Sequence, residues 1–274
     1  FMVDGHNTAF SSKLILTDNG VGNDFNATVK TEAQIDTILK NYMGINRYIL
    51  METLPYDEIH HIDMHMKLLD EETLLVGQFP TGVADGPQIE ANIQYIQDNF
   101  LTCYGRPYKI VRIPMPPSTS GQYVPNTYYR TYTNSVIVNK TVIVPTYRQE
   151  YDTTAIRIYK ENMPGYKIVT IDCDDGGSPI ISALGAVHCI TKEIAAGDPI
   201  WISHAPLENT NDATDPYLVE AQIKTSSGVS EASLFWSVDT SAGYNEVPML
   251  ADGNSMFHGY IPAQPVGSSI FYYV

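Results

Sequence analysis

Three short polar sets carry residue types that do chemistry together. His61-Ile62-Asp63 places an imidazole and a carboxylate two residues apart. Thr131-Tyr132-Thr133-Asn134 ends on a carboxamide, and Gly185-Ala186-Val187-His188-Cys189-Ile190-Thr191 sets a thiol beside an imidazole. An ordinary thiol is only a few per cent thiolate at neutral pH, and a neighbouring imidazolium or a cationic ligand raises that fraction. A thiol, an imidazole and a carboxylate can therefore support covalent catalysis. Cys189 would be the nucleophile and His61 would move protons. Asp63 would hold a cationic group by charge-assisted hydrogen bonds, and Asn134 would bond near the reacting centre. Other readings compete. On a strand, His61, Asp63 and His65 alternate to one face and offer a metal-ligand set. Cys189 in a buried strand packs as a small hydrophobe, and asparagine commonly bonds its own backbone.

The elements that must position these side chains repeat. Arg47-Tyr48-Ile49-Leu50, Tyr108-Lys109-Ile110-Val111 and Tyr166-Lys167-Ile168-Val169 recur about 60 residues apart, a period typical of supersecondary repeats. A helical pattern precedes each run: Ile35, Ile38 and Leu39; then Ile89, Ile93, Ile96 and Phe100, with Pro87 in the first turn; then Ala155, Ile158 and Tyr159, stopped by Pro164-Gly165. Two strand-like runs precede each helix, and Asn139-Lys140 between Val/Ile runs is a hairpin signal. The unit is strand, strand, helix, strand. The spacing predicts two complete copies with a partial one at each end, SSKLILTDNG being the remnant of the first. The His61, Asn134 and Cys189 sets fall at equivalent places, on the first strand of each copy. Hairpins with one helix per unit fit radial repetition around an axis, which would gather His61, Asp63, Asn134 and Cys189 on one face.

Residues 207–274 read differently. After the polar, turn-rich LENTNDATDP, short alternating runs without helical period indicate a small all-β sandwich of immunoglobulin type, ending before its last strand. The formal net charge of -15 disfavours nucleic acid and anionic membrane surfaces as partners and favours a cationic ligand. No apolar run approaches the ~18 residues of a spanning helix. Three widely spaced cysteines make neither a disulfide framework nor a zinc ribbon, and Cys103 and Cys173 read as bystanders. The 19 tyrosines and few lysines lean towards a secreted or cell-surface protein. DCDDGG at 172–177 resembles a calcium loop without the twelve-residue spacing, and reads better as a solvated turn.

Taken in order, HHID, YTNS and HCIT, with FMVDGHNTAFSS at the start, resemble the guanidine-modifying (pentein) superfamily, nearest its agmatine deiminase and Porphyromonas-type peptidylarginine deiminase members. The resemblance covers residues 1–206. It implies an α+β fold, part of a five-bladed α/β propeller of ββαβ units, followed by an immunoglobulin-like domain at 207–274. It implies Cys189 as nucleophile, His61 as general acid/base, Asp63 as a guanidinium-binding carboxylate and Asn134 as an active-site asparagine, with no metal or organic cofactor. The implied reaction converts the guanidinium of agmatine, arginine or a peptide arginine to a ureido group and ammonia. The family's second guanidinium-binding aspartate, in an aromatic-x-Arg-Asp motif, is expected upstream of Phe1 with about two blades, so an N-terminal segment of the same protein is an expected partner. The alternative is a noncatalytic binding or adhesion protein with a degenerate propeller.

Overall fold

Each of the three repeated apolar runs is the last strand of a β-β-α-β unit. In the first unit β1 (Met2–Val3) and β2 (Thr8–Ser12) pair antiparallel, α1 (Leu14–Asp18) and α2 (Glu32–Met43) follow, and β3 (Arg47–Met51) lies parallel to β2. The second runs β4 (Met66–Leu68), β5 (Thr73–Gln78), α3 (Gly86–Asn99), β6 (Lys109–Pro114). The third runs β7 (Val136–Val138), β8 (Thr141–Thr146), α4 (Gln149–Asn162), β9 (Lys167–Asp172). In every unit the second strand is central, antiparallel to the first and parallel to the third. A parallel return needs a long crossover, which the helix supplies. The computed structural model describes residues 1–192 and 200–274.

The first repeat is therefore complete, not a remnant. Its opening strands are too short to show alternation, which hid them in the sequence. The third unit has its hairpin where Asn139-Lys140 signalled it: Val138 pairs with Thr141, and Asn139 takes a positive φ of 52°. The segment after β9 forms no fourth copy among the described residues; it carries short 3-10 turns at Ile180–Ala183 and His188–Ile190.

Local signals explain the helices. Thr31 and Gln34 form a reciprocal capping box at the start of α2, and Gly44, in the left-handed region at φ 70°, closes it. Ile35 and Leu39 turn inward, whereas Ile38 is 39% exposed and lies off the buried stripe. Ile89, Ile93 and Ile96 of α3, and Ala155, Ile158 and Tyr159 of α4, are buried as their spacing predicts. The central strands β2 and β5 are buried on both faces, with Phe10, Leu74, Leu75 and Val76 fully covered, whereas β8 buries Val142 and Val144 on one face and leaves Thr141 and Ile143 half-buried on the other. In β5 this is the continuous apolar run of a covered strand rather than a half-wet alternation.

Two compact units emerge: Phe1–Asn162 with Lys167–Ala195, and Met163–Tyr166 with Ala196–Val274. The second unit is all-β, with one sheet ordered β10 (Trp201–Ser203), β11 (Tyr217–Lys224), β15 (Met256–Ile261), β14 (Leu250–Gly253) and another ordered β13 (Asn245–Pro248), β12 (Ser233–Ser237), β16 (Phe271–Tyr273). Alternate residues Val219, Ala221 and Ile223 meet Leu234, Met249 and Ile261 in its core. No helix among the described residues is long and apolar enough to cross a membrane.

Within the first unit the Asp172–Gly177 turn is braced by ion pairs. Arg130 grips Asp174 with two parallel bonds, Nε to Oδ2 at 2.8 Å and Nη2 to Oδ1 at 3.0 Å, and Arg148 Nη1 adds a third at 2.6 Å. Arg130 also donates to Thr127 Oγ1. All three charged side chains are nearly buried. Asp172, Asp175, Gly176 and Gly177 of DCDDGG are exposed, as a solvated turn requires, while its middle carboxylate, Asp174, is spent on two guanidinium groups. Asp174→Ala leaves both cations without their anion, the costly half of a buried pair. We expect it to lower the stability of this unit by about 3–5 kcal/mol, seen as a fall in the urea midpoint followed by circular dichroism.

Candidate active site

Two of the sets that carry chemistry sit just before the first strands of the second and third units, and the third lies in a turn of its own after β9. Ile62–Met64 is a single 3-10 turn just before β4, closed by bonds from Met64 N to His61 O and from His65 N to Ile62 O, both 3.1 Å. Ile62 and Met64 point into the core, which fixes Asp63 between them; all three are buried. Asn134 lies just before β7, at the equivalent place in the next unit, with no exposed surface. Cys189 lies in the 3-10 turn His188–Ile190 and is exposed. The strand placement expected for these three sets is thus corrected. Their period-two patterns look like strands, but local turn bonds claim the backbone before the ladder begins. The buried-strand reading of Cys189 fails for the same reason.

Asn134 joins the pieces. Its Oδ1 accepts from the backbone N–H of Ala186 at 3.1 Å and of His188 at 2.9 Å, and its backbone carbonyl takes a second bond from His188 N at 3.2 Å. Backbone N–H groups only donate, so the amide oxygen must face them and the NH2 must face the other way. There Nδ2 donates to Asp63 Oδ2 at 2.7 Å and stands 3.1 Å from Cys189 Sγ. Thr133 Oγ1 donates to the backbone carbonyl of Asp63 at 2.8 Å. Asn134 therefore bonds other segments, not its own. Cys189 Sγ ends 3.5 Å from Asp63 Oδ2. Gly185 makes room for it: a Cβ there would come within 2.7 Å of both Cβ and Sγ of Cys189.

His61 faces solvent, yet a ring nitrogen, an Asp63 carboxylate oxygen and Cys189 Sγ all lie within 4.8 Å of one another. All four expected residues meet at one place. Sequence reasoning missed the part played by His188, whose Nδ1 is 2.7 Å from Asp63 Oδ2; its position next to Cys189 was the available signal. His65 is not in the cluster. It is 3% exposed, and neither ring nitrogen has a hydrogen-bond partner among the described residues. The three side chains whose donor atoms stand close enough to share an ion are His61, Asp63 and Cys189, not His61, Asp63 and His65.

The electrostatics follow from this packing. Burial pushes the Asp63 carboxyl up, but the hydrogen bond and charge of His188 outweigh it and hold Asp63 at about 2, so it is a carboxylate at neutral pH. Cys189 moves the other way. Burial, then the Asp63 charge, raise its thiol, and the Asn134 hydrogen bond only partly offsets them. The resting site thus holds a carboxylate beside a protonated thiol. A cation brought against Asp63 reverses the field at sulfur and favours the thiolate. Burial drives the other two thiols up as well, Cys103 to about 12 and Cys173 to about 11.

Two measurements check this. The pH midpoint for alkylation of Cys189 by iodoacetamide, read by peptide mass, should lie above the ordinary thiol range and fall in Asp63→Asn, which removes the neighbouring charge. For His65, burial lowers the imidazole to about 4, against a weak opposing pull from Asp63. Below about pH 6.5 the unfolded chain binds a proton that the folded chain refuses, so stability is full above that value and lost as pH falls towards 4. His65→Phe should remove an acid destabilisation of up to about 3 kcal/mol, seen as a smaller drop in the urea midpoint from pH 7 to pH 4.5.

The geometry has relatives. A Legionella pneumophila protein named as an agmatine deiminase is 25% identical over 211 residues, covering 70% of this chain and 53% of that protein. One of the same name from Vibrio parahaemolyticus is 26% identical over 212 residues, covering 70% and 56%. The chain spans about half the length of the curated relatives it matches. Among solved structures, the Enterococcus faecalis agmatine deiminase superposes with a TM-score of 0.58 at 18% identity, over 72% of this chain and 56% of that one. A Porphyromonas gingivalis protein described as an arginine deiminase gives 0.59 at 23%, over 71% and 55%. The fold is accordingly mixed α+β, built of small sheets and similar to that of these deiminases. The Porphyromonas-type peptidyl-arginine deiminase family matches residues 1–194, from the first strand through Cys189, and the chain belongs to that family.

Proposed function

We propose that the protein to which this chain belongs is a cysteine hydrolase that deiminates a guanidinium group, with Cys189 as nucleophile, Asp63 as cation anchor, His61 as proton carrier and Asn134 as the residue that holds them in register. The observation that carries this reading is the Asn134 junction, which brings a thiol to 3.5 Å from a buried carboxylate beside an exposed imidazole. A guanidinium presents a planar fork of donors that suits a carboxylate. Bound there, it neutralises the charge that keeps Cys189 protonated. The thiol proton passes to His61 and sulfur adds to the guanidinium carbon. The carbon–nitrogen bond then breaks, and the nitrogen leaves as ammonia with a proton returned by His61. Water, deprotonated by His61, adds to the resulting amidino-thioether. The carbon–sulfur bond breaks, Cys189 recovers its proton and a ureido group remains.

The wider reading rests on supports of unequal strength. Three β-β-α-β units in succession, the second and third with site residues in equivalent turns, support a five-bladed propeller completed by an upstream segment, which would also supply the second guanidinium-binding aspartate. The two facing sheets of the second unit support an immunoglobulin-like domain. Among substrates, the family match favours arginine in a peptide over free arginine, and the names of the relatives favour agmatine. Placement outside the cell or at its surface rests on composition alone.

The test uses the full-length protein with arginine peptides, free arginine and agmatine, scoring ureido product and ammonia. Cys189→Ala should reduce turnover below about a hundredth of wild type with its circular dichroism unchanged. Asp63→Asn should lower kcat/KM about ten- to a hundredfold, the cost of a charge-assisted hydrogen bond. Wild-type protein inert on all three substrates would leave the binding or adhesion reading, and full activity of Asp63→Asn would remove the role given to that carboxylate.

A further inference from the structure

We propose that His61, Asp63 and Cys189 also form a zinc(II) site, at which the metal and a cationic substrate exclude one another. The metal-binding half rests on geometry alone; the exclusion rests on the function proposed above.

One imidazole nitrogen, one carboxylate oxygen and one thiol sulfur, all within 4.8 Å of one another, are three donors of the kind zinc takes in tetrahedral sites. With bonds of about 2.3 Å to sulfur and about 2.0 Å to nitrogen and oxygen, tetrahedral donors stand roughly 3.3–3.6 Å apart. The pair formed by Cys189 Sγ and Asp63 Oδ2, at 3.5 Å, already has that spacing. Those two donors are positioned by Asn134 and need not move. His61 is exposed at the start of the buried Ile62–Met64 turn, so its side chain has room to close the remaining distance by rotation. The mixed thiolate, imidazole and carboxylate set selects zinc over magnesium or calcium, which take oxygen. Charge balances as well: the thiol releases one proton to solvent, and the thiolate and carboxylate together neutralise the two charges of the ion. Neutral imidazole completes three ligands, and water supplies the fourth. The bound ion would take the sulfur lone pair that attacks and the carboxylate oxygen that anchors the cation. Metal and substrate therefore compete for the same atoms, and the metal here is an inhibitor rather than a cofactor.

The test has two parts. Zinc alone is titrated calorimetrically into this 274-residue chain, and cobalt(II) is added in parallel to look for the thiolate-to-cobalt absorption band. We expect one tight zinc site, the cobalt band, and no binding of magnesium or calcium. Cys189→Ala and His61→Ala should each weaken zinc binding at least tenfold, with Cys189→Ala losing the band. Cys189→Ser, close in shape, checks that any loss is not a folding defect. Cys103→Ser and Cys173→Ser should change neither readout. Zinc binding that survives Cys189→Ala unchanged, or no binding to a folded chain, overturns the site. In the full-length protein, zinc should inhibit competitively with the guanidinium substrate and a chelator should restore the rate. Binding at Cys189 without inhibition overturns the exclusion and leaves the site standing. A metal-free protein with no deiminase activity, but with the zinc site present, counts against the proposed function and not against the metal site.

Discussion

The buried carboxamide of Asn134 is the interaction on which the site depends. It has no access to water, so each of its hydrogen-bonding atoms must find a protein partner or cost free energy. Its oxygen gathers the N–H groups of the turn that carries Cys189, and its nitrogen takes the Asp63 carboxylate and faces the thiol. Three segments far apart in sequence are thereby set in one geometry by one side chain. Aspartate would put a second negative charge beside Asp63, and leucine would leave backbone donors and a carboxylate without partners. Only a carboxamide offers an acceptor on one side and a donor on the other at this size.

That geometry separates the two ionisable groups it joins. Asp63 is held ionised by donors on its oxygens, while Cys189, beside that charge and partly shielded from water, keeps its proton. The separation keeps an exposed thiol unreactive until a cation arrives. Under the proposed function, substrate binding and nucleophile activation become one event, because the charge that docks on Asp63 also stabilises the thiolate. The Arg130–Asp174–Arg148 brace belongs to the same design. It anchors the start of the long excursion from β9 to Cys189 against the segment that carries Asn134, so both ends of the Asn134 junction hang from a fixed frame.

Much of this was legible in the residues. The helical stripes, the Asn139-Lys140 hairpin and the period of the Tyr-led strands translate directly into the β-β-α-β units, because apolar spacing and turn chemistry are local and strong. The equivalence of the His61 and Asn134 sets also holds: both precede the first strand of their units. What misled was alternation. In HIDMHM every second residue is apolar, as in a strand, yet Ile62 and Met64 are buried from a 3-10 turn, which alternation alone does not distinguish from a pleat. The first repeat was missed because β1 has only two residues, too few to leave a pattern.

The pairings that carry chemistry were beyond any local signal. Nothing in GAVHCIT indicates that its backbone N–H groups are claimed by an asparagine 52 and 54 residues earlier in the chain, or that His188 reaches a carboxylate 125 residues away. Gly185 shows what a sequence pattern can still convey once the structure explains it. Its φ is ordinary, so turn geometry does not require glycine; the sulfur of Cys189 does, lying where a side chain would begin. A residue with no chemistry of its own thus shapes the space the thiol occupies. The same reasoning separates His61 from His65. Both flank Asp63, but the turn sends one to solvent, where protons and ions can reach it, and the other into the core, where burial keeps it neutral. Two histidines at equal distance in sequence thereby acquire opposite roles, set by the backbone turn between them.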